Sequence, residues 1–427
     1  MAITELTGRE RPRARRRRWA EESRPEDWVR PIEPVQRLEH DLGDCLEHWS
    51  TLGSRVELER DPAYQRHRAE VEALIRGHKW DLRDANATRT VHEGRLRAVA
   101  WNVERGKRWS AICGIFDEHP QMQDLDIALL TEVDLGVGRS DNRDVAGQLA
   151  KRLGMGHVFS PSHVLLSAGD PAELDHGVAN TLAMHGVALL TRFPVRRVRG
   201  VPLPEFGDKL GAVERRLGAK RAVLVELDTP GQPLTVGVVH LDPFAPPAHR
   251  ARQMRLVLGA LDGAPGQGVL VGGDFNTNTY DLGGPLGLAA NITHKLVRFG
   301  FAGTVAQYMT PYAVFERHLF DALAEAGLST EGFVDPSAGT LRFDLNDPEL
   351  EDKVGRVLPK PALRYLQQRL EPWRGTVPMR LDWFAGRDVQ PRSAWTVDRP
   401  RHQGMHVSDH DPIGVELRWP PSTLRPD

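Results

Sequence analysis

The chain has 427 residues, 58 acidic and 56 basic side chains, a formal net charge of -2 at pH 7 and 40% hydrophobic residues. This composition is that of an ordinary globular protein, and the near-neutral charge argues against an extended nucleic-acid-coating surface while leaving a local basic groove open. The length suits one large α/β domain with additions, or two domains.

The cysteines and the hydropathy predict the compartment. Cys45 and Cys113 lack the spacing of a CxxC or CxxH motif, which predicts free thiols in a reducing environment. The N-terminus has no apolar segment of a secretory signal, and no stretch approaches the roughly 20 apolar residues of a membrane span. We therefore expect a cytoplasmic protein without a transmembrane segment; the sequence indicates no oligomeric state.

Residues 1–92 are predicted to form a basic tract followed by a helical extension. Arg11–Arg18 contains six arginines in eight residues. Such a tract is typically solvated, and contact with nucleic acid or an anionic lipid surface is the alternative. Apolar residues recur at helical spacing over 35–49 and over 62–75, which predicts two helices. We expect this extension to pack on the outside of a main domain formed by residues 93–422.

The main domain alternates short β runs with helical segments, which predicts a mixed α/β architecture. The predicted strands are 97–103, 125–132, 186–191, 221–227, 234–240, 269–274, 379–384 and 413–417, with helices at 110–118, 144–153 and 248–261. Polar residues stand at the ends of many of these strands, namely Asn102, Glu132, His240, Asp274 and Asp382. The less regular residues 282–375, with helices at 312–327 and 361–370, are predicted to be an elaboration that forms part of a lid or a substrate wall.

Two motifs at predicted strand ends carry the chemistry. They are Gly273-Asp274-Phe275-Asn276 and Ser408-Asp409-His410. An acid before a turn is often only turn chemistry, so either motif alone is a weak signal. Together they supply carboxylates for a hard divalent cation, a carboxylate or imidazole to activate water, and an amide to stabilise phosphoryl charge. The pair predicts metal-assisted attack on a phosphate ester.

These motifs belong to a larger set through which the chain resembles the endonuclease/exonuclease/phosphatase superfamily. In the family's order, the set is Trp101-Asn102-Val103-Glu104, Leu130-Thr131-Glu132, Gly186 to Arg192, Val239-His240-Leu241, Gly273 to Asn276, Arg380 to Trp383 and Ser408 to His410. The resemblance covers residues 96–281 and 376–419. It implies a four-layered α/β sandwich, in which two mixed sheets are flanked by helices and the active site lies at one end.

The resemblance also implies a metal site. Glu132 matches the family's principal Mg²⁺ ligand, and Asn102 matches the asparagine beside the metal. Asp409 matches an acidic residue near the metal, and Glu104 stands where some members place a second, looser acidic ligand. Mg²⁺ prefers one or two carboxylates together with water and substrate oxygens, which suits this set, and Mn²⁺ is the alternative metal.

The remaining matched residues are implied to be catalytic. Asp274 matches the residue that positions or deprotonates the attacking water, and Asn276, oriented by Asp274, would donate to a phosphoryl oxygen. His410 matches the imidazole at the scissile phosphate, with Asp382 hydrogen-bonded to its other nitrogen. His240 matches a position used for phosphate contact or proton transfer.

The sequence narrows the substrate only partly. Val271-Gly272-Gly273 and Leu381-Asp382-Trp383 differ from the pattern of inositol-phosphate 5-phosphatases, and neither the disulfides of secreted DNases nor the apolar hairpin of sphingomyelinases is evident. We therefore expect a Mg²⁺-dependent phosphodiesterase that acts on nucleic acid. The alternatives are a phosphomonoesterase or a lipid or small-molecule phosphodiesterase of the same fold, and an inactive binding protein on this fold.

Overall fold

A computed structural model describes residues 25–85, 94–167, 169, 177–211, 214–261, 267–277, 285–344, 364, 368–371 and 376–419, with backbone alone for 285–292 and 343–344. The arginine tract and most of the predicted helix at 361–370 lie outside the described residues. None of the helices in the described ranges combines the length and the apolar character needed to cross a membrane.

The described residues form eighteen strands. They are β1 (Val35–Gln36), β2 (Lys79–Asp81), β3 (Arg95–Asn102), β4 (Ile127–Leu135), β5 (Gly156–Leu165), β6 (Met184–Thr191), β7 (Val195–Pro202), β8 (Arg216–Gly218), β9 (Arg221–Leu227), β10 (Leu234–His240), β11 (Gly268–Asp274), β12 (Leu341–Asp344), β13 (Thr376–Met379), β14 (Asp382–Arg387), β15 (Gln390–Thr396), β16 (Arg401–His402), β17 (Met405–His406) and β18 (Ile413–Arg418). The α-helices of the same residues are α1 (Gly43–Ser50), α2 (Arg55–Arg60), α3 (Pro62–Arg76), α4 (Trp109–Glu118), α5 (Val145–Leu153), α6 (Pro247–Ala260), α7 (Pro285–Met309) and α8 (Arg317–Glu325).

Most strands belong to two sheets. The larger has the order β1-β2-β5-β6-β4-β3-β18-β15, with β8 paired to β5, and the smaller has the order β14-β11-β10-β9-β7. Both are mixed, because β3 runs parallel to β4 and β10 runs parallel to β11 while the other pairs are antiparallel. Two short two-stranded sheets, β12–β13 and β16–β17, lie outside these sheets.

Apolar side chains divide the molecule into four layers. One buried cluster lies between the sheets and joins Ala98 and Leu129 of the larger to Val236 of the smaller. A second cluster packs α1, α3, α4 and α5 on the outer face of the larger sheet. A third packs α6 and α8 on the outer face of the smaller sheet. The four-layered α/β sandwich implied by the family resemblance is thus confirmed.

The N-terminal part of the chain adds strands as well as helices. The helix predicted from residue 35 begins only at Gly43, because β1 pairs with β2, which in turn extends the larger sheet through β5. This tertiary pairing overrides the local helical periodicity. The helix predicted at 62–75 agrees with α3. The domain division at residue 92 stays a prediction.

The later part of the chain differs from the predicted pattern in two places. The strand predicted at 379–384 is split between β13 and β14 at Arg380, whose guanidinium donates to the carbonyls of Met309, Pro336 and Ala338. The helix predicted at 312–327 is shorter: α8 covers only residues 317–325. Gly327 follows it with a φ of 77°, as glycine commonly does after a helix.

The sheet register places the polar strand ends together. Because β10 and β11 are parallel, their final residues His240 and Asp274 are paired. The antiparallel β14 begins beside them, with Asp382 paired to Asp274. In the larger sheet, Asn102 at the end of β3 pairs with Thr131, one residue before Glu132. The backbone alone therefore brings polar residues from several strands to one end of the sandwich.

Gly273 is a structural requirement of this arrangement. Its φ is 127°, and a Cβ atom there would lie 2.2 Å from the carbonyl oxygen of Val239 on β10. We predict that Gly273→Ala lowers the free energy of unfolding by about 2–4 kcal/mol, through backbone strain and steric overlap. Urea unfolding measures this loss.

Gly259→Ala is the matched control, because Gly259 is an exposed residue of α6 with open space around it. That change replaces a helical glycine and should raise the unfolding free energy by about 0.5–1 kcal/mol. Equal effects of the two substitutions would contradict the strain at Gly273.

Candidate active site

Asp274 lies at the centre of the polar cluster. Its side chain is buried, with 1% of the residue exposed. Oδ1 accepts the backbone N–H of Asn276 at 2.8 Å, and Oδ2 accepts the side-chain amide of Asn102 at 3.2 Å. The same Oδ2 lies 3.6 Å from Nε2 of His240 and 3.8 Å from Nε2 of His410. Four of the predicted site residues are therefore held around one carboxylate.

A second buried carboxylate holds the far side of the His410 ring. Nδ1 of His410 lies 2.8 Å from Oδ2 of Asp382, and both residues are buried. The other oxygen, Asp382 Oδ1, is buried and accepts no hydrogen bond within the described part of the chain. The ligand atoms of Asp274, Asp382 and His410 all lie within 4.8 Å of one another.

The loop that carries His410 is fastened to β3. The indole N–H of Trp101 donates to the carbonyl of His410 at 2.9 Å, and the Ser408 hydroxyl donates to the carbonyl of Asn102 at 2.8 Å. The backbone N–H of His410 in turn donates to Ser408 Oγ at 3.2 Å. These bonds explain why residues 306 or more positions apart in sequence keep a fixed relation to each other.

Burial and neighbouring charges both shift the pKa values of Asp274 and His410. Burial, together with the Asp382 carboxylate, raises the pKa of Asp274 to about 7 against the opposing charge of His410. Burial disfavours the His410 cation, but the Asp382 and Asp274 carboxylates outweigh it and raise the pKa of His410 well above its ordinary value. A carboxyl group that titrates near neutrality is suited to proton transfer. A cationic imidazole is suited to stabilise the negative charge on phosphoryl oxygens.

The predicted metal ligands lie beside this group. Glu132 occupies an irregularity in β4 between Leu130 and Val133 and has a φ of 52°. Burial favours its neutral form, but the Arg105 guanidinium, 3.7 Å away, acts together with His240, His185 and Lys220 to outweigh burial and lower the pKa of Glu132 well below its ordinary value. Burial raises the pKa of Asp409, and both Glu104 and Glu132 are close enough to add to this shift.

Glu104 differs from the other predicted ligands. Its carboxylate pairs with Nζ of Lys107 at 2.8 Å and with Nη1 of Arg108 at 2.5 Å. Its backbone N–H donates to Oδ1 of Asn102 at 3.1 Å. Its backbone thus helps to orient Asn102, while its side chain is already engaged by two cations.

The predicted donor set fits a hard divalent cation. Glu132 is an ionised carboxylate, Asn102 supplies an amide oxygen, and Asp409 supplies a second carboxyl whose pKa is raised by burial among other acids. Oxygen donors of this kind are the ligands that Mg²⁺ and Mn²⁺ prefer, whereas the group whose ligand atoms lie within 4.8 Å of one another is that of Asp274, Asp382 and His410.

Asn276 is placed differently from its predicted orientation. Asp274 receives its backbone N–H and not its side chain, and the side-chain amide donates to the carbonyl of Leu241 at 2.9 Å. Its φ is 51°, a left-handed backbone conformation that asparagine adopts more readily than most residues. The carboxylate therefore orients the amide of Asn102, whereas Asn276 holds the carboxylate itself.

Sequence reasoning missed Lys220. It is buried, and its Nζ lies 3.0 and 2.9 Å from the two ring nitrogens of His240. Burial and the nearby Arg216 lower the pKa of Lys220 to about 8. A signal was present, because Lys220 immediately precedes β9, whose antiparallel pairing with β10 places it at the His240 end.

Two further buried histidines lie on the neighbouring strands β5 and β6. His185 is buried on β6, where Nδ1 lies 2.7 Å from Asp134, and the Arg139 guanidinium binds the same carboxylate. His163 pairs with Glu205 at 2.6 Å. Both histidines thus contact buried carboxyl groups, and burial lowers the pKa of His163 well below its ordinary value, while His176 lies outside the described residues.

Acids, an amide and imidazoles are thus gathered at one end of a four-layered α/β sandwich, an arrangement suited to phosphate-ester chemistry. The Endonuclease/Exonuclease/phosphatase family profile matches residues 99–410, and the chain belongs to that family. Membership supports a phosphoesterase, and the family is generally dependent on divalent metals. No curated protein matches the chain with statistical significance.

Several solved structures are similar to the chain. An endonuclease/exonuclease/phosphatase from Beutenbergia cavernae DSM 12333 is 19% identical, with a TM-score of 0.46 over 77% of this chain and 72% of that one. The human Nocturnin catalytic domain with bound sulfate is 19% identical, with a TM-score of 0.44 over 77% and 95%. D. rerio TDP2 complexed with single strand DNA product is 13% identical, with a TM-score of 0.42 over 76% and 99%.

Thr340 is a positioning residue for Asp382. Its Oγ1 accepts the backbone N–H groups of both Leu381 and Asp382, at 3.0 and 3.1 Å, where β14 begins. We predict that Thr340→Val leaves these buried donors without a partner and lowers the unfolding free energy by about 1–3 kcal/mol. Hydrolysis of a phosphodiester should slow as Asp382 shifts. Thr340→Ser keeps the hydroxyl and should restore the rate; a rate that follows side-chain volume instead would contradict this role.

Proposed function

We propose that the protein is a Mg²⁺-dependent phosphodiesterase that hydrolyses nucleic acid with an activated water molecule. The observation that carries this proposal is the shared contact of Asn102, His240 and His410 with the single buried carboxylate of Asp274. Burying two imidazoles and two acids together is costly unless each charge has a partner, and a purely structural role would not require that cost.

The free thiols Cys45 and Cys113 support a cytoplasmic location.

The metal would be held by Glu132, Asn102 and Asp409, with Glu104 in a looser role. When bound, Mg²⁺ would supply a positive charge that stabilises the phosphoryl oxygens. Arg105 keeps the Glu132 carboxylate ionised, which suits it to bind a cation. Mn²⁺ fits the same oxygen donors.

The protein's own residues would supply the remaining steps. Asp274 orients water for in-line attack on phosphorus and accepts its proton, while Asn102 and Asn276 hold the carboxylate in place. As the bond from the water oxygen to phosphorus forms, the P–O bond opposite it breaks, and the leaving oxygen takes up a proton from solvent. His410 donates from Nε2 to a phosphoryl oxygen, and Asp382 retains the Nδ1 proton on the opposite side of the ring. His240, backed by Lys220, contacts the phosphate or passes the proton.

The most direct test is nicking of supercoiled plasmid by the purified protein. We predict Mg²⁺-dependent nicking that His410→Ala lowers by about 10²–10⁴-fold, because the charge on the phosphoryl oxygens loses its partner. Gel electrophoresis of the relaxed form measures the rate. Nicking that persists in EDTA, or that is unaffected by His410→Ala, would contradict the proposal.

Glu132→Gln tests the metal assignment. Loss of the ionised ligand should raise the Mg²⁺ concentration for half-maximal activity by about 10–100-fold. Glu104→Gln is the control from the same cluster and should shift that concentration less, since its carboxylate is already paired with Lys107 and Arg108. A larger shift for Glu104→Gln would reverse the assignment of the two acids.

The salt dependence separates nucleic acid from the alternative substrates, which are phosphomonoesters and lipid or small-molecule phosphodiesters. Phosphate contacts along a nucleic acid release counterions, so the nicking rate at low substrate should fall at least about tenfold between 50 and 200 mM salt. Hydrolysis of a small phosphodiester should change little over the same range. A flat profile for plasmid, or turnover of small esters alone, favours the alternatives; absence of all hydrolysis favours an inactive binding protein.

A further inference from the structure

Two partly exposed phenylalanines stand at the edge of the candidate active site. Phe244 follows His240 by four residues and is 46% exposed. Phe206 follows the end of β7 by four residues and is 37% exposed. Aromatic rings are expensive to leave in water, and neither ring has a role in the catalytic group described above.

One buried carboxylate fixes both phenylalanines. Asp242 Oδ1 accepts the backbone N–H of Phe244 at 3.0 Å, and Oδ2 accepts the backbone N–H of Phe206 at 3.0 Å. Asp242 is fully buried, and its own N–H donates to the side chain of Gln253 on α6 at 3.0 Å. The backbones of both phenylalanines are therefore attached to one buried carboxylate that is only two residues from His240.

The surroundings of the rings are partly aromatic and partly cationic. The imidazole of His249 packs edge-on against Phe206, with ring centroids 5.6 Å apart, and is itself held 2.7 Å from the carbonyl of Pro204. Nζ of Lys209 lies 5.4 Å from the centroid of Phe244 and 3.7 Å from Asp242. Each ring is thus supported on one side by a neighbour, and a positive charge lies beside Phe244.

We propose that Phe206 and Phe244 form a stacking platform for an unpaired nucleobase of the substrate, next to the phosphate that is cleaved. This inference rests on the proposed action on nucleic acid and narrows it to single-stranded or locally unpaired substrates. Rigid aromatic side chains beside a cation are how proteins bind unstacked bases, because every base offers a π face and the adjoining backbone is anionic.

A membrane is the less suitable partner for this surface. Among the described residues, two rings are exposed there, each is more than half buried, and the exposed carboxylate Asp208 lies on the same loop as Phe206. Insertion into a bilayer interface favours a broad apolar face with basic flanks. The platform is instead narrow, with the size of one or two rings.

Two chromogenic phosphodiesters test the platform through a selectivity ratio. Thymidine 5'-(p-nitrophenyl phosphate) carries a base, and methyl p-nitrophenyl phosphate does not. We predict that Phe244→Ala lowers the ratio of their kcat/KM values about tenfold, through loss of base stacking. Phe244→Leu keeps the apolar volume but not the aromatic ring, and it should lower the ratio nearly as far. Phe244→Tyr keeps the ring and should retain the wild-type ratio. Ile32→Ala, which removes another exposed apolar side chain, should leave the ratio unchanged.

A binding assay separates failure of the platform from failure of the proposed hydrolysis. A trinucleotide that contains 2-aminopurine should lose fluorescence on titration with the wild-type protein and keep it with Phe206→Ala or Phe244→Ala, whether or not the protein cleaves it. Equal quenching by all three proteins, or an unchanged selectivity ratio, would overturn the inference. Sedimentation with phosphatidylcholine vesicles that depends on Phe244, with unchanged fluorescence, would also overturn it and assign the rings to a membrane.

Discussion

The burial of the Asp274 carboxylate is the constraint on which the rest of the site depends. A buried acid must be hydrogen-bonded and partly neutralised, and here two N–H groups and two imidazoles meet that demand. The two glycines before it make this possible. A Cβ at Gly272 would meet the ring of Phe384 at 2.4 Å, and one at Gly273 would meet the carbonyl of Val239 at 2.2 Å. Because neither glycine has a side chain, β10 and β14 can approach the end of β11 from both sides.

Backbone strain is concentrated around the same end of the sandwich. Glu132, Asn276 and Glu104 have φ values of 52°, 51° and 45°, a region that non-glycine residues rarely adopt. Arg105 follows with a φ of 68°. Such conformations cost free energy and persist where the surrounding structure fixes them. Glu132 lies 3.7 Å from Arg105 and Asn276 donates its N–H to Asp274, so two of these strained residues also contact the charged groups of the site.

The sequence predicted the strand ends well because hydrophobic runs that stop at a polar residue are local features. The ends of β3, β10 and β11 follow from such runs, and the family resemblance supplied the four layers. Pairings between distant segments could not be predicted in the same way. The strands β1 and β2 depend on a neighbour in β5, and the side chain of Asn276 depends on the carbonyl of Leu241. Lys220 was missed because its role is visible only once β9 lies beside β10.

The central claim is that Asp274 and His410 act as one unit at a single phosphoryl centre. The most direct measurement is the rate of hydrolysis of methyl p-nitrophenyl phosphate by Asp274→Asn, by His410→Gln and by the double variant. Residues that act as a unit give non-additive losses, so each single variant should lose about as much activity as the double variant. If the loss in the double variant equals the product of the two single losses, the residues act independently. The claim that Asp274 and His410 act as one unit would then be wrong.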